Sequence, residues 1–569
     1  MREAMDRNVD RNRWLLAAVL AALTLAAPAA AQERDDKPPK PLKPVRVQLL
    51  GINDFHGHLQ STTPGTIVRR PDERFPAGGI EYLATHVRTL RERARYTFTV
   101  ASGDLVGASP LLSSLFHDEP TIEAMNALGL DVAAVGNHEF DEGVMELRRL
   151  KRGGCHPIDG CADGTPYEGA DFPFLAANVL RRGKPRPIFP PYAIREIGPV
   201  KIGFIGLTLE GTPDLISPDF SRYLTFRDEA RTINRYAREL KRRGVRAIVV
   251  LLHEGGFTHG VGGLNSCPGI SGPVRKIVRR TTRDIDAFLT GHSHQVYNCT
   301  MWGRRVTSAA SYGRLLTRLQ LQLDRRTGEV EHIRSRNWVI GQWVPPAPDM
   351  TGLIARYRTF AAPLGDRVIG RLAGSASRYR DDSDESRMGN LVADAQQEAA
   401  GSDAAFIRPG QVRAGLAAGR VSFASAFMTQ PFGTSIVSMT LTGAQVLNLL
   451  KEQWCERSKR REILQVSGDV SYTWSASAGR AIRGKPCATS PNPVTNLTIG
   501  GEPVDPARAY RITVNSAMAG RTDAYPTLAQ GTARSGGPQD IEALEGHLEP
   551  SVTGAPQAPP ETDRLERVP

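Results

Sequence analysis

The sequence predicts an α/β protein made of two units, and three observations support this prediction. The chain has 569 residues, whereas a single hydrophobic core stops growing near ~250–300 residues. From Val45 onward, short β-branched runs alternate with amphipathic stretches of helical period, the pattern of strand–helix units. A proline-rich break at 344–349 interrupts the alternation, which then resumes.

The elements follow in order. Each predicted strand of the first unit is an apolar run, most of them ending at Gly, Asn or Asp; these runs are 45–53, 96–103, 131–137, 201–208, 246–253 and 284–291. Helical patterns at 80–93 and 229–243 lie between them, and a β-rich piece at 304–343 closes the unit. We therefore predict domains at 45–343 and 365–545, joined by a 344–364 linker that contains a connecting helix.

Both ends of the chain have special composition. Arg11 and Arg13 precede the apolar run 14–27, and Ala29-Ala30-Ala31 follows it, which is typical of a cleavable signal peptide over 1–31. An uncleaved membrane anchor is the alternative. The polar, Pro-rich stretches 32–44 and 546–569 predict a disordered leader and a disordered tail. We expect a periplasmic or secreted protein without a membrane span in its mature form.

Six cysteines fit an oxidising compartment. They allow 15 connectivities, and the sequence alone does not choose among them. Nearest-neighbour pairing, the simplest hypothesis, gives Cys155–Cys161, Cys267–Cys299 and Cys455–Cys487. A cysteine metal site is disfavoured because none of these pairs has C-x-x-C spacing.

The net charge of +12 is spread along the chain and forms no basic stripe interleaved with aromatics. We therefore expect no nucleic acid polymer as a partner, but a surface that mildly attracts small anionic substrates. The sequence does not indicate an oligomeric state.

Polar side chains follow five predicted strands, where open α/β sheets bind their ligands. Three offer carboxylate or amide oxygens and four offer imidazoles: Asp54, Asp104, Asn137, His56, His253, His292 and His294. Such mixed ligands suit Zn, Mn, Fe or Co, and seven are too many for one structural zinc. We predict two divalent metal ions sharing a carboxylate.

Spacing supports this cluster. Asp54 and His56 are i, i+2, as are His292 and His294. In extended backbone such pairs point to the same side, so we predict extended chain at both places. Glycines such as Gly103 and Gly136 let the backbone approach a crowded centre. Isolated histidines elsewhere, among them His58, His117 and His156, are interpreted as structural.

The ordered motifs D-x-H, G-D, G-N-H-E, H-E and G-H-x-H resemble those of the calcineurin-like metallophosphoesterases. Within them, INDFHGHL (52–59), VGNHEFDEG (135–143) and TGHSHQ (290–295) are similar to the 5'-nucleotidase family. The resemblance implies a four-layer αββα sandwich around two metals. It further implies one metal set with Asp54, His56 and His294, another with Asn137, His253 and His292, and Asp104 bridging them.

The same resemblance implies that His138 is a catalytic residue and Asp141 its partner. Chemistry agrees, because water between two cations becomes hydroxide near neutral pH and can attack phosphorus in line with the leaving oxygen. His138 can then stabilise the charge that develops there, and Asp141 can keep the imidazole cationic.

Residues 365–545 resemble the family's C-terminal substrate domain, through stretches such as SRMGNLVADA (386–395) and YRITVNSAMAGRTDAY (510–525). The resemblance implies that Arg413, Phe432 and Asp523 bind a nucleoside, with Phe432 stacking on the base. A core aromatic is the alternative for Phe432.

Three departures from the family pattern leave the substrate open. Arg408 replaces an asparagine, Ala517 replaces a second stacking aromatic, and G-G-D-G reads Arg521-Thr522-Asp523-Ala524. Tyr525 or Met518 would be replacements for the lost aromatic, and Arg408 or Arg521 could engage a more highly charged substrate.

The leading hypothesis is a secreted 5'-nucleotidase-like hydrolase of nucleotide monoesters. Three rivals keep the chemistry and change the substrate: a 2',3'-cyclic-nucleotide phosphodiesterase, a UDP-sugar hydrolase and a non-nucleotide phosphatase. A fourth is a non-catalytic binding protein on a degenerate enzyme fold.

Overall fold

The structure is a computed structural model. It describes residues 43–60, 66–70, 73–161, 164–216, 218–259, 262–455, 462–520 and 524–569. The predicted signal peptide 1–31, and the predicted leader except for its last two residues, lie outside the described residues.

The N-terminal part alternates strands and helices. Its strands are β1 (Val45–Ile52), β2 (Thr66–Arg70), β3 (Glu73–Pro76), β4 (Thr97–Ser102), β5 (Val132–Ala134), β6 (Phe174–Leu175), β7 (Val179–Arg181), β8 (Tyr192–Ile197), β9 (Val200–Thr208), β10 (Leu224–Phe226), β11 (Ala247–His253), β12 (Ala287–Thr290), β13 (Val296–Met301), β14 (Arg304–Ala309), β15 (Leu315–Leu323) and β16 (Val330–Val339). Its helices are α1 (Ile80–Glu92), α2 (Leu111–Ser114), α3 (Glu119–Leu128), α4 (Gly143–Arg152), α5 (Pro218–Ser221), α6 (Glu229–Arg242) and α7 (Pro273–Arg280).

Two six-stranded sheets dominate this part. One has the order β16-β15-β1-β4-β5-β6 and the other β13-β14-β12-β11-β9-β8. Neighbours from β1 through β4 and β5 to β6 are parallel, as are β9, β11, β12 and β14. Their carboxyl ends therefore meet at one edge of each sheet.

The sheets face each other through an apolar layer and carry helices on their outer faces. Alternation along the strands produces this arrangement, because successive side chains point to opposite faces. In β11, Val249 and Leu251 pack between the sheets, whereas Val250 and Leu252 pack under α6 and α7. The first sheet is covered by α1, α3 and α4. The predicted four-layer αββα sandwich is confirmed.

The C-terminal part is also mixed. Its strands are β17 (Val368–Leu372), β18 (Ala404–Ile407), β19 (Gly419–Ser422), β20 (Ser435–Thr442), β21 (Gln465–Val466), β22 (Val470–Ser475), β23 (Val494–Ile499), β24 (Glu502–Pro503), β25 (Ala509–Asn515), β26 (Thr532–Gln539) and β27 (Leu565–Val568). Its helices follow the connecting helix α8 (Pro348–Gly365) and are α9 (Arg387–Ala400), α10 (Phe423–Phe427), α11 (Gly443–Lys451), α12 (Ala476–Ile482), α13 (Ser516–Ala519), α14 (Asp540–Leu548) and α15 (Pro550–Thr553). A five-stranded sheet, β21-β18-β25-β20-β26, and a four-stranded sheet, β24-β23-β22-β27, share one core with α11.

The two parts are in contact at backbone level. A side-chain carbon at Gly433 would overlap the backbone of Ala108, and one at Gly536 would overlap that of Ile216. Met350 and Tyr357 of α8 are buried in the core of the first part. Within the described residues no helix has the length and apolar character needed to cross a bilayer.

The three nearest-neighbour disulfides are confirmed: Cys155–Cys161, Cys267–Cys299 and Cys455–Cys487. The first closes a short surface loop after α4. The other two each join segments 32 residues apart in the chain.

The predicted disordered tail 546–569 is wrong. Residues 550–553 form α15, and β27 pairs in parallel with β22. Leu565 is 5% exposed, and its backbone N–H donates to a carboxylate oxygen of Glu385. Pro-rich composition indicated disorder, but the segment is held by pairing with β22, by the buried Leu565 side chain and by an ion pair between Arg564 and Asp394 at 2.8 Å.

We predict that Leu565→Ala destabilises the protein, since a buried leucine side chain leaves a cavity worth at least about 2 kcal/mol. A lowered midpoint of thermal unfolding would measure the effect. Asp563→Ala, an exposed change two residues away, is the control and should leave the midpoint unchanged. Equal unfolding midpoints for the two variants would contradict a contribution of β27 to the stability of the protein.

Candidate metal centre

The residues predicted as metal ligands gather at the shared edge of the two sheets. Ligand atoms of Asp54, His56 and His294 lie within 4.8 Å of one another. Those of Asp104, His253 and His292 form a second such group. Their roles as ligands stay predictions, but the structure brings all of these side chains together.

Asp104 lies between the two groups. Its Oδ2 is 2.9 Å from His253 Nε2 and 3.6 Å from His56 Nε2. Asn137 belongs to the second group, with its Oδ1 3.2 Å from His253 Nε2 and 3.0 Å from His292 Nδ1. This geometry is what a bridging carboxylate and a terminal amide ligand require.

Hydrogen bonds on the far side of the rings fix where two imidazoles keep a proton. His56 Nδ1 lies 2.9 Å from the Gly107 carbonyl oxygen, and His253 Nδ1 lies 2.8 Å from that of Ser102. A carbonyl only accepts, so both Nδ1 atoms donate, and in the neutral ring Nε2 keeps a lone pair. Metal-bound histidines are typically held in this way.

The Nε2 atoms of these two rings lie close to other predicted ligand atoms. His56 Nε2 is 3.1 Å from His294 Nε2, and His253 Nε2 faces the Asp104 carboxylate. In each contact a proton occupies the place that a cation would take. The donor set and its arrangement therefore fit divalent cations.

Electrostatics agree with this fit. Burial lowers the pKa of His56 and of His292 to about 3, so both rings are neutral, as ligands must be. Burial also opposes charge on His253, but the adjacent Asp104 carboxylate outweighs it and raises the pKa of His253 to about 10. The centre thus stabilises positive charge strongly at that position.

The predicted extended backbone at the D-x-H and H-x-H motifs is wrong. Asp54 and His56 have φ of 49° and 48°, and His292 and His294 have φ of 67° and 53°. The strands end at Ile52 and Thr290, after which the chain must turn sharply to bring both side chains to one point. Left-handed backbone is costly for such residues and concentrates at functional sites.

Nearby hydrogen bonds hold this strained turn. The amide of Asn53 donates to the Ala310 carbonyl at 2.6 Å, and its Oδ1 accepts from the Ala309 N–H at 3.0 Å. The N–H of Tyr312 donates to the Asp54 carbonyl at 2.7 Å. The end of β14 and the residues after it thereby brace the end of β1.

The prediction that glycines let the backbone approach the crowded centre agrees with the packing at two positions. A side-chain carbon on Gly103 (φ 87°) would lie 2.5 Å from His253 Nδ1, and one on Gly136 would overlap the Asp104 carboxylate. At these two glycines the loops after β4 and β5 therefore pass closer to the predicted ligands than a residue with a side chain would allow.

His138 and Asp141 adjoin the centre. His138 Nδ1 is 2.7 Å from Asp141 Oδ2, and the His138 N–H donates to Asp104 Oδ1 at 3.0 Å. Burial disfavours the charged ring, but the Asp141 carboxylate outweighs it and raises the pKa of His138 to about 9. The ring of His138 lies 5.1 Å from that of His56, centroid to centroid.

Sequence reasoning missed the role of Glu139, although G-N-H-E contains it. This buried carboxylate accepts from the backbone N–H groups of Asp104 at 3.0 Å, Leu105 at 2.7 Å and Gly136 at 2.5 Å. It therefore joins the loops after β4 and β5, which carry the bridging residue and Asn137. An acidic residue in a short turn between apolar elements was the available signal, but its partners are backbone N–H groups, which leave no pattern in the sequence.

In the C-terminal part, Phe432 is half-buried and the Arg413 guanidinium lies 5.9 Å from its ring centroid. Gly433 touches Ala108, whose neighbour Gly107 provides the carbonyl that holds His56. The backbone beside Phe432 therefore adjoins the loop that holds His56, and Phe432 does not belong to any of the apolar cores of the described residues. Asp523 and Arg521 lie outside the described residues.

The two residues suggested as replacements for the lost stacking aromatic do not fit that role. Met518 and Tyr525 are fully buried in the core of the C-terminal part, so neither offers a second stacking face. Arg408 forms a two-pronged ion pair with Glu462 at 2.8 and 3.0 Å, which occupies its guanidinium. Ala517 is exposed on α13.

Comparison with known proteins gives two family matches. Residues 47–296 match the calcineurin-like phosphoesterase model, and residues 368–530 match that of the 5'-nucleotidase C-terminal domain. Endonuclease YhcR of Bacillus subtilis is 29% identical over 88% of this chain, which spans only 39% of that protein. UshA of Salmonella pullorum is 26% identical, with 91% of this chain and 92% of UshA covered.

Among solved structures, a putative 5'-nucleotidase from Staphylococcus aureus has a TM-score of 0.63 at 20% identity. The match covers 92% of this chain and 99% of that one. At this identity the likeness establishes the fold.

We predict that Glu139→Gln weakens metal retention by about 10–100-fold, the usual effect of removing a group that orients ligands. An amide keeps the shape but cannot accept with both of its terminal atoms. Metal content after dialysis at graded chelator concentrations measures this. Glu331→Gln, at an exposed site on β16, should behave like the unmodified protein; equal retention in the two variants would contradict the role of Glu139.

Proposed function

This chain belongs to the 5'-nucleotidase family of calcineurin-like phosphoesterases, and we propose that it is a secreted two-metal hydrolase of nucleotide phosphate monoesters. The observation that carries the proposal is the convergence of imidazole, carboxylate and amide atoms at the ends of β1, β4, β5, β11 and β12. Two divalent cations bound there would supply Lewis-acid chemistry, lowering the pKa of water and neutralising phosphoryl charge.

The proposed ligands divide into two sets. Asp54, His56 and His294 would hold one cation, and Asn137, His253 and His292 would hold the other, with Asp104 shared. Zn, Mn, Fe and Co all suit these nitrogen and oxygen atoms. Ser102 and Gly107 fix the ring orientation of His253 and His56 through their carbonyls.

His138 has the proposed catalytic role. Its Nδ1–H is held by Asp141, so Nε2 can carry a second proton and present it to the phosphoryl oxygens or the leaving oxygen. A cationic imidazole stabilises the negative charge that develops in the transition state. Asp141 acts through His138, as a positioning residue that keeps the ring charged.

Substrate preference rests on the C-terminal part. Phe432 and Arg413 support a nucleoside, because an aromatic face stacks on a base and a guanidinium attracts phosphate or carboxylate. Asp523 is the proposed sugar ligand. Phe432 is half-buried and lies outside the apolar cores of the described residues, which favours this role over a core aromatic.

A second candidate function keeps the centre and changes the substrate: cyclic-nucleotide, UDP-sugar or non-nucleotide phosphoester hydrolysis. The burial of Met518 and Tyr525 favours it, since the second stacking face of the family is missing among the described residues. The name of the relative YhcR, an endonuclease, adds phosphodiesters to the substrates worth testing.

Secretion is supported by the predicted signal peptide over 1–31 and by the three disulfides, because disulfides persist in oxidising compartments. The mature protein would act in the periplasm or outside the cell.

We predict that Asp104→Asn and His138→Ala both abolish most phosphate release, for different reasons. Asp104→Asn removes the shared charge and should lose metal as well as activity. His138→Ala should keep its metal while the rate falls by roughly 10²–10⁴-fold. Metal analysis and phosphate release from AMP separate the two effects. Full activity in both variants, or a metal-free native protein that is still active, would rule out the proposal.

We predict that Phe432→Ala raises KM for AMP by roughly 5- to 150-fold, the equivalent of ~1–3 kcal/mol of base stacking. Its KM for ribose 5-phosphate, which has no base, should stay unchanged. Tyr379→Ala removes a 79% exposed aromatic from the same part and serves as the control. An unchanged KM for AMP would argue against a nucleoside, and turnover of cyclic AMP isomers, UDP-glucose or a DNA oligonucleotide would then identify the second candidate.

A further inference from the structure

The helices that cover the outer side of the second sheet, α6 and α7, lie side by side. The side-chain amide of Asn234 in α6 donates to the Arg280 carbonyl at 3.0 Å and accepts from the Thr282 N–H at 2.7 Å. An ion pair between Arg280 and Asp228 at 2.7 Å links the same two helices again. Both pack on one core through their apolar sides, so they present one continuous face to solvent.

The exposed side of α6 is a stripe of arginines. Four exposed side chains, three or four residues apart, extend over about 17 Å of helix: Arg231, Arg235, Arg238 and Arg242. The opposite side, which includes Ile233 and Leu240, is buried against the sheet. Of the two acidic residues in α6, Glu229 is buried and Glu239 pairs with Arg243 at 3.2 Å. The stripe therefore has no counter-charge of its own.

The neighbouring helix α7 carries the same charge. Its sequence PVRKIVRR contains four basic residues and no acidic one. Three of the four are exposed: Arg275, Lys276 and Arg279. The ion pairs at these helices use Lys241, Arg243 and Arg280 instead. Among the described residues, none of the seven exposed basic side chains of α6 and α7 pairs with a carboxylate, and we call these seven the basic face.

The arrangement within the basic face is electrostatically unfavourable in the protein by itself. Three like-charged pairs lie four residues apart: Arg231 and Arg235, Arg238 and Arg242, and Arg275 and Arg279. Like charges at this spacing destabilise a helix, and a dense patch of one sign attracts a polyanion. A negatively charged partner would offset the repulsion.

An exposed tryptophan borders the basic face. Trp302 lies in the turn between β13 and β14 and is 40% exposed. It lines a surface cavity together with Arg275. The turn is held against α7 by Arg304, whose Nη1 donates to the Thr281 carbonyl at 2.9 Å. An indole beside basic side chains is typical of surfaces that meet the interface of a bilayer.

We propose that the basic face and Trp302 dock on a lipid bilayer that carries anionic headgroups. A cluster of four to eight Lys and Arg side chains is the usual size of such a docking surface. The seven side chains extend from the outermost layer of the sandwich, so a planar charged surface can reach them together. Trp302 enters the headgroup region at the border of the contact.

Nucleic acid is the other polyanion that such a face attracts. Single strands are bound where successive bases stack on aromatic rings inside a charged groove. The one aromatic residue in α6 and α7, Tyr236, is buried. The face therefore offers charge without stacking surfaces, which favours lipid headgroups.

Docking through this layer leaves the candidate metal centre open to solvent. The predicted ligands lie at the carboxyl ends of the strands, whereas the basic face is on the outer side of the helices that cover the sheet. A protein bound in this way keeps its access to soluble substrates. The inference goes beyond the proposed phosphoesterase activity and does not depend on it.

Co-sedimentation of the mature protein with vesicles tests the docking. Vesicles of phosphatidylcholine alone are compared with vesicles that contain about one third phosphatidylglycerol. We expect the protein to sediment with the anionic vesicles only, and to be released at about 1 M salt, where screening is effective beyond ~3 Å. Equal binding to neutral vesicles, or no binding to anionic vesicles at low salt, would overturn the proposal.

Two double variants locate the contact. Arg275→Gln with Arg279→Gln should lower the partition onto anionic vesicles roughly 20-fold, about fivefold for each charge. Arg480→Gln with Arg483→Gln removes two exposed arginines at the end of α12 and is the matched control, with the same net charge. Equal partition of the two double variants would overturn the assignment to the basic face. Phosphate release from AMP should be the same in both.

Two further measurements test Trp302 and the nature of the partner. Anionic vesicles with brominated acyl chains should quench part of the tryptophan fluorescence, and Trp302→Phe should abolish that quenching. Quenching that persists in Trp302→Phe would remove this residue from the docking surface. A gel shift of duplex DNA that is lost in the Arg275→Gln, Arg279→Gln variant, without vesicle binding by the native protein, would assign the face to nucleic acid and overturn the lipid proposal.

Discussion

The organising constraint of this molecule is the burial of imidazole, carboxylate and amide groups at one point. His56 Nε2 and His294 Nε2 lie 3.1 Å apart, and His253 faces the Asp104 carboxylate. Polar groups buried this close together are costly unless protons or cations balance them. Rigid supports hold them there: parallel strands that end together, backbone carbonyls that fix the rings, and Glu139 linking two of the loops.

The two parts of the chain contribute differently to the proposed activity. In the proposed activity, the sandwich would supply the reaction chemistry through the side chains gathered at its edge and the His138–Asp141 pair. The C-terminal part contacts the sandwich at Gly433 and Ala108, next to Phe432, but Ala517 stands where a second aromatic was expected. Chemistry and selectivity would then come from separate cores.

Much of the fold and of the candidate site was predictable from the sequence, and the features that were not predicted have physical causes. Strands β1, β9 and β11 were predicted because their apolar runs are local signals, and the clustering of the polar side chains was predicted because they follow such runs in order. The left-handed backbone at Asp54 and His292 was not predicted, because an i, i+2 spacing of polar residues is typical of a regular strand and carries no sign of a turn. Glu139 and Leu565 were missed because their partners are backbone groups or strands distant in sequence.

The pairing of β27 with β22 has a consequence for the order in which the protein matures. Residues 565–568 complete a sheet begun some ninety positions earlier, and Glu385 accepts from the backbone of Arg564 and Leu565. The four-stranded sheet therefore lacks one of its strands until residues 565–568 have been synthesised. A chain shortened before Leu565 would leave one edge of β22 without its parallel partner, and an unpaired edge strand is a template for pairing with other chains.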